Sequence, residues 1–268
     1  MINQRIALVV VLGCLLHLPY LAFCKEKEDA DKKEKQVEIK CMVPENKIAD
    51  VSKKLTIDAT HPTETRVVCF YDTPSKMLFE HTPKVILRSR YATDGTKPDT
   101  TVKIRGAKLK GTEVECESDQ VIGKPRAESC SLTDKKQPVD EIMKANAGTD
   151  VKKIFNDDQE DFVKEAKVKV DWEKLVPFGP VEGVKVWKNV SAEGLKTVTV
   201  ERWELPERDG KHRRVLFEVS TKALVSEESE VTAALSKALD ITGTDEQEQE
   251  TKTKVVLDHF AGNQSTKP

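Results

Sequence analysis

Five short segments of the chain place charged or polar side chains at alternate positions. They are residues 36–40, 88–90, 101–105, 113–117 and 214–220. Because strand side chains point alternately to opposite faces, each segment has one apolar and one ionic face. A single strand of this kind is typical of a protein surface. Five of them favour a closed sheet whose lumen is charged and whose outer face is covered.

The same pattern predicts an α+β fold built on an antiparallel eight-stranded β-barrel, a tunnel with a charged lumen and helices packed outside. Apolar stripes at helical spacing predict helices at 44–55, within 138–165 and at 223–239, and a short one ending near Phe260. The eight predicted strands are 36–40, 65–72, 84–91, 100–105, 112–118, 183–190, 196–204 and 213–221.

The first 24 residues have the pattern of a signal peptide. Arg5 is the only charged residue before Lys25, and residues 6–23 are almost entirely apolar. We expect cleavage after Cys24 and a secreted or extracytoplasmic protein. Two alternatives remain open: a lipid anchor on Cys24, or an uncleaved membrane anchor, since 18 apolar residues are just long enough to span a bilayer.

The rest of the chain divides into three further parts. Residues 25–35 are almost all charged and predict a disordered tether. Residues 36–260 carry the strand and helix patterns and form the predicted tunnel domain. Residues 261–268 are expected to be a disordered tail.

Export would favour disulfides between the cysteines that follow the signal peptide. The four are Cys41, Cys69, Cys116 and Cys130, and we favour the pairs Cys41–Cys69 and Cys116–Cys130, although three pairings are possible. Their spacing does not resemble a zinc site. Two sequons, at Asn189 and Asn263, predict glycosylation if the pathway is eukaryotic.

The charge balance limits the class of partner. The chain has 44 basic and 46 acidic residues, so it lacks the basic excess that duplex nucleic acid binding requires. A local basic cavity remains compatible with this balance. No partner protein can be inferred from the sequence.

Motifs on the charged face resemble the CYTH superfamily, the triphosphate tunnel metalloenzymes. This superfamily includes thiamine triphosphatases, inorganic triphosphatases and class IV adenylyl cyclases. The resemblance covers roughly residues 36–222. It rests on Gln36-x-Glu38-x-Lys40 in place of Glu-x-Glu-x-Lys, Phe70-Tyr71-Asp72-Thr73 for Tyr-Phe-Asp-Thr, Leu87-Arg88-Ser89-Arg90 for Leu-Arg-x-Arg, and Thr101-Val102-Lys103 for Thr-x-Lys.

The resemblance implies a site for a phosphorylated small molecule or polyphosphate, with Mg²⁺ or Mn²⁺ bridging phosphate oxygens. It does not identify a catalytic residue. The metal ligands that it implies are Glu38, Glu115, Glu201 and Glu218. The phosphate ligands that it implies are Lys40, Arg88, Arg90, Lys103, Arg105, Arg214 and Lys222.

Two departures from the family pattern concern the metal. Gln36 replaces the first signature glutamate, and Ser220 stands where a second late-strand acid is common. Loss of carboxylates weakens a hard-cation site. Two functions therefore stay open: a metal-dependent phosphohydrolase of triphosphate, and a non-catalytic secreted module that binds polyanions with a degenerate metal site.

Overall fold

The computed structural model describes residues 35–261 except 110, 112 and 209. The predicted signal peptide with Cys24, nearly all of the tether, and the tail with Asn263 lie outside the described residues. No helix in the described part of the chain is long and apolar enough to cross a membrane.

Nine strands and seven α-helices follow one another within the described residues, joined by loops and short 3₁₀ turns. The helices are α1 Ile48–Lys54, α2 Met77–Glu80, α3 Val139–Asn146, α4 Asp157–Glu165, α5 Glu228–Leu239, α6 Thr244–Gln247 and α7 Lys252–Phe260. The strands are β1 Gln36–Met42, β2 Glu64–Asp72, β3 Lys84–Ala92, β4 Asp99–Arg105, β5 Glu115–Val121, β6 Ala127–Asp134, β7 Val176–Ala192, β8 Leu195–Leu205 and β9 Arg214–Leu224.

The strands form one closed barrel in the order β1-β5-β6-β4-β3-β2-β7-β8-β9, with β9 pairing back onto β1. The predicted closed barrel is confirmed, but the predicted count of eight strands is wrong. The additional strand is β6, which pairs with both β5 and β4. The barrel is also mixed rather than purely antiparallel, because β1 runs parallel to β5.

The outer faces of the strands are apolar and covered by helices, as the alternation predicts. On one side, Ile142 of α3 and Phe162 of α4 are buried in the cluster that contains Val102 and Ile104 of β4. On another side, α1 and α5 contribute to a cluster that includes Ile39 of β1. Since these strand residues are fully buried, the charged side chains between them must point into the lumen.

Helix α7 packs on the lumen side of the barrel wall. Its buried Val256 and Phe260 belong to the cluster that contains Phe70 of β2 and Leu216 of β9. Phe70 alternates along β2 with Cys69 and Tyr71, which belong to the outer cluster, so it faces the lumen. The apolar side of α7 therefore packs on lumen-facing side chains.

One of the two predicted disulfides is present. Cys116 and Cys130 are bonded and lie opposite each other on β5 and β6. The Cys41–Cys69 pairing is wrong: Cys41 of β1 and Cys69 of β2 lie on strands that are not neighbours, and they are buried in different outer clusters. Asn189 is exposed on β7, and its glycosylation stays a prediction.

Candidate functional site

A cavity of about 340 Å³ occupies the inside of the barrel. Its apolar wall is formed by β2, β3, β7 and β8, beside the end where α7 packs. The rest of its lining is strongly ionic. The charged residues that line it are Glu38, Lys40, Arg66, Arg88, Arg90, Lys103, Arg105, Glu115, Glu117, Glu201, Glu218 and Lys252.

Five of the seven predicted phosphate ligands meet in this cavity: Lys40, Arg88, Arg90, Lys103 and Arg105. Arg88 and Arg90 of β3 lie beside the β4 residues Lys103 and Arg105 because these two strands are paired, whereas Lys40 of β1 faces the same cavity from beyond β5 and β6.

The other two predicted phosphate ligands are exposed and lie outside the cavity lining. Arg214 is the first residue of β9 and pairs with Leu205. Lys222 pairs with Glu38 but lies towards the exposed end of β9. The cavity is therefore reached by the middle of β9, where Glu218 and Ser220 line it.

Asp119 of β5 is the acidic centre of the basic cluster. Its buried carboxylate accepts hydrogen bonds from Lys40 at 2.7 Å, Lys103 at 2.7 Å and Arg105 at 3.1 Å. Burial alone would raise the pKa of Asp119, but these three cations outweigh burial and hold it well below its usual range. Asp119 was missed from the sequence because the predicted strand ended at Ser118, whereas β5 runs to Val121.

Three carboxylates around this cluster have the spacing of a cation site. Oxygens of Glu38, Glu117 and Asp119 lie within 4.8 Å of one another. Carboxylate oxygens are the ligands that Mg²⁺ and Mn²⁺ prefer, so the donor set fits a divalent ion. The ammonium groups of Lys40 and Lys103 now bridge these acids, and an ion would share the carboxylates with them.

The other predicted metal ligands do not join this triad. Glu201 of β8 and Glu218 of β9 lie opposite each other, and both accept hydrogen bonds from the ammonium of Lys252, the first residue of α7. Glu115 is exposed at the cavity edge. Burial would raise the pKa of Glu201, but the Lys252 ammonium outweighs it and lowers that pKa.

Lys252 and Arg66 are site residues that sequence reasoning missed. Lys252 belongs to a short helix that also contains Lys254 and His259, and nothing in the pattern distinguishes it from a surface lysine. Arg66 stands in phase with apolar Val68 and Phe70 on β2, and its inward direction could have been read from that alternation.

Arg88 is the cation that lacks an acidic partner. Arg90 pairs with Asp99 at 2.9 Å and Arg66 pairs with Glu64 at 2.7 Å, but Arg88 forms no ion pair among the residues that the structure describes. Its guanidinium only donates a 3.3 Å hydrogen bond to Thr101, and its buried Nε has no acceptor. Burial, followed by the nearby Arg90 charge, lowers the pKa of Arg88 to about 10.

The two departures from the family pattern differ in their position. Gln36 is exposed at the start of β1 and lies outside the cavity lining. Ser220 lines the cavity and pairs with Lys40 across the β1–β9 ladder. Of the two departures, Ser220 is therefore the one that lies inside the site.

A closed barrel with an ionic lumen and helices outside is the architecture of the CYTH-like tunnel proteins. Among solved structures, a candidate adenylate cyclase from Bacillus halodurans aligns with a TM-score of 0.53 and 13% identity, covering 83% of this chain and 97% of the other. A candidate adenylyl cyclase from Hippeastrum, described as having a dominant triphosphatase activity, aligns with a TM-score of 0.51 and 16% identity over 82% and 94%. The predicted CYTH-like fold is confirmed.

The structural alignments show the fold, and at such low sequence identity they leave the activity of this chain open. No protein-family model and no curated protein matches the sequence.

Proposed function

We propose that this protein binds triphosphate or another linear polyanion inside its tunnel. The observation that carries the proposal is Arg88, a half-buried guanidinium that faces the cavity without an acidic partner and whose Nε is fully buried. An unpaired buried charge is costly, and a bound anion would supply the missing partner. The fork of a guanidinium suits bidentate contact with phosphate oxygens.

The surroundings of Arg88 favour a ligand with several charges. Arg90 and Arg66 lie on the same and the neighbouring strand and line the same cavity, and Lys103 and Arg105 lie on β4. A single phosphate group can contact only part of this row. A chain of phosphates can contact Arg88 first and then compete for the cations that now pair with carboxylates.

Calorimetric titration tests this proposal. Tripolyphosphate, pyrophosphate, orthophosphate and ATP are titrated into the purified chain without metal, at two salt concentrations. We expect the affinity to increase with the number of phosphate groups and to fall as salt screens the interaction. Absence of salt-sensitive binding for all four ligands would refute the proposal.

Hydrolysis with a divalent metal is the second candidate function. It is favoured by the spacing of Glu38, Glu117 and Asp119 beside the phosphate-binding cations. Mg²⁺ or Mn²⁺ held there would neutralise phosphate charge and position water, while Lys40 and Lys103 would orient the phosphate oxygens. Besides the metal, the cations that line the cavity would hold the phosphate chain in position and neutralise its charge.

Phosphate release from tripolyphosphate, ATP and thiamine triphosphate with a panel of metals separates the two candidates. Glu117→Gln is the informative variant, because Glu117 belongs to the triad and its partner Lys103 keeps Asp119. If the protein is a hydrolase, this variant loses metal-dependent turnover and retains tripolyphosphate binding. No turnover from the native chain with any metal would leave the binding module as the function.

We also propose an extracytoplasmic location for the mature protein. Its support is the Cys116–Cys130 disulfide, since such bonds persist in oxidising compartments. Expression of the full chain and of a chain lacking residues 1–24 tests it. The full chain should be recovered in the extracytoplasmic fraction with the disulfide formed, and equal retention of both chains inside the cell would refute it.

A further inference from the structure

One of the lysines that line the cavity belongs to a helix and not to a barrel strand. Lys252 is the first residue of α7, and its ammonium lies between Glu201 and Glu218. These are two of the four acids that the family resemblance assigns to a metal ion. The third group at this point is Trp203, whose ring centroid is 4.8 Å from Nζ of Lys252.

This set of groups is suited to an ammonium ion. Two carboxylates and one aromatic face surround Lys252, and the ring face attracts a cation through its quadrupole. Trp203 offers no oxygen to a metal, and its indole N–H donates to Glu201 at 2.9 Å, which occupies one lone pair of that carboxylate. A divalent cation could bind the same two carboxylates together with water, but the ammonium lies between them and occupies that position.

The helix cap and the packing of α7 fix the position of Lys252. Thr251 caps the helix by accepting a hydrogen bond from the Lys254 N–H, and Val256 and Phe260 are buried against the lumen wall. Withdrawal of the ammonium would leave two buried carboxylates unpaired, which is strongly unfavourable. Lys252 is therefore built into the site by the packing of α7.

We propose that Lys252 is a built-in counter-cation that takes the place of a divalent metal between Glu201 and Glu218. These two acids are consequently closed to metal ions, and any metal that the tunnel holds lies at the Glu38 side. The helix α7 thereby determines which of the tunnel's acids can bind a cation. The inference does not depend on the proposed anion binding, since its readout is cation binding alone.

Titration with Mn²⁺ alone, followed by electron paramagnetic resonance of the free ion, tests the proposal. Lys252→Met keeps most of the unbranched side chain and removes its charge. We expect this variant to bind one Mn²⁺ more than the native chain, and a further Glu218→Gln substitution to weaken that added binding at least tenfold. Lys254→Met is the matched control, because Lys254 lies on the same helix and pairs with Glu250 and Asp258 at the surface.

Two results would overturn the proposal. One is a folded Lys252→Met variant that binds no more Mn²⁺ than the native chain or the Lys254→Met control. The other needs no Lys252 variant: Glu218→Gln in the native chain should change Mn²⁺ affinity less than twofold, because Lys252 still pairs with Glu201. A tenfold loss there would mean that Glu218 binds the metal in the native protein.

Discussion

Substitution of Arg88 by methionine gives the sharpest test of where an anion binds. The change removes the guanidinium that faces the cavity without an acidic partner and keeps an unbranched, shorter apolar side chain. Arg214→Met is the matched control, since Arg214 is an arginine of the same barrel that is exposed and outside the cavity lining.

The size of the binding effect follows from the contacts that Arg88 can make. Hydrogen bonds that involve a charged group contribute about 1.5–3 kcal/mol each. Loss of one such contact lowers affinity roughly 10- to 150-fold, because each 1.4 kcal/mol is a factor of about ten. Arg88→Lys keeps the charge but not the planar fork, so its loss of affinity should be intermediate.

Stability should change in the opposite direction. Burial and Arg90 lower the pKa of Arg88 to about 10 from its ordinary 12.5, so the folded state disfavours the charged guanidinium. This difference corresponds to a destabilisation of at most roughly 3 kcal/mol. It is fully present below pH 10 and is relieved as pH rises above it, so at pH 7 the methionine variant should unfold at an equal or higher urea concentration than the native chain.

Calorimetry with tripolyphosphate and urea unfolding, each carried out on the native chain, Arg88→Met and Arg214→Met, provide both readouts. The expected combination is weaker binding with undiminished stability for Arg88→Met, and native behaviour for Arg214→Met. If Arg88→Met binds as tightly as the control, the anion lies elsewhere. If both binding and stability fall together, Arg88 has a structural role and the reasoning from its missing partner is wrong.

Three further predictions concern the ionic network and the hairpin. Asp119→Asn should lower the free energy of unfolding by about 3–5 kcal/mol in urea titrations at pH 7, since three cations lose a buried partner. The pKa of Asp119 is lowered in the folded state, so its stabilisation is present above its unfolded pKa of about 4 and is lost as pH falls below that value. The free energy of unfolding of the variant should therefore fall less steeply with decreasing pH than that of the native chain. Reduction of Cys116–Cys130, 14 residues apart, should cost about 3 kcal/mol and lower the Tm, and a Cys116→Ser variant should show the lower Tm with no further response to reductant.

Much of the barrel could be predicted from alternation because its two faces meet different surroundings. Most outer positions pack on helices and are apolar, as with Ile39 of β1 and Ile104 of β4, while many inner positions carry charge. The alternation therefore predicted eight of the nine strands. It failed for β6, Ala127–Asp134, whose sequence has Cys130 and Leu132 as its only large apolar residues among serine, threonine and acidic side chains.

The candidate site was predictable only where the strands supply it. Lys40, Arg88 and Lys103 lie on strands whose phase can be read directly, and they meet in the cavity. Lys252 comes from a helix at the far end of the sequence, and its position depends on how α7 packs across the lumen. Tertiary packing of this kind leaves no local pattern in the sequence.

The pairing of the lumen cations with carboxylates determines which anions the tunnel can bind. Most of its cations are already paired: Lys40, Lys103 and Arg105 with Asp119, and Lys252 with Glu201 and Glu218. An incoming anion must therefore displace a carboxylate from its cation everywhere except at Arg88, and such an exchange yields little net electrostatic gain for a singly charged ligand. A ligand with several linked charges places its second and third charges beside the paired cations once the first is held by Arg88, at a high effective concentration. The pairing inside the tunnel thus favours phosphate chains over single phosphate groups, although carboxylates already balance most of the tunnel's positive charge.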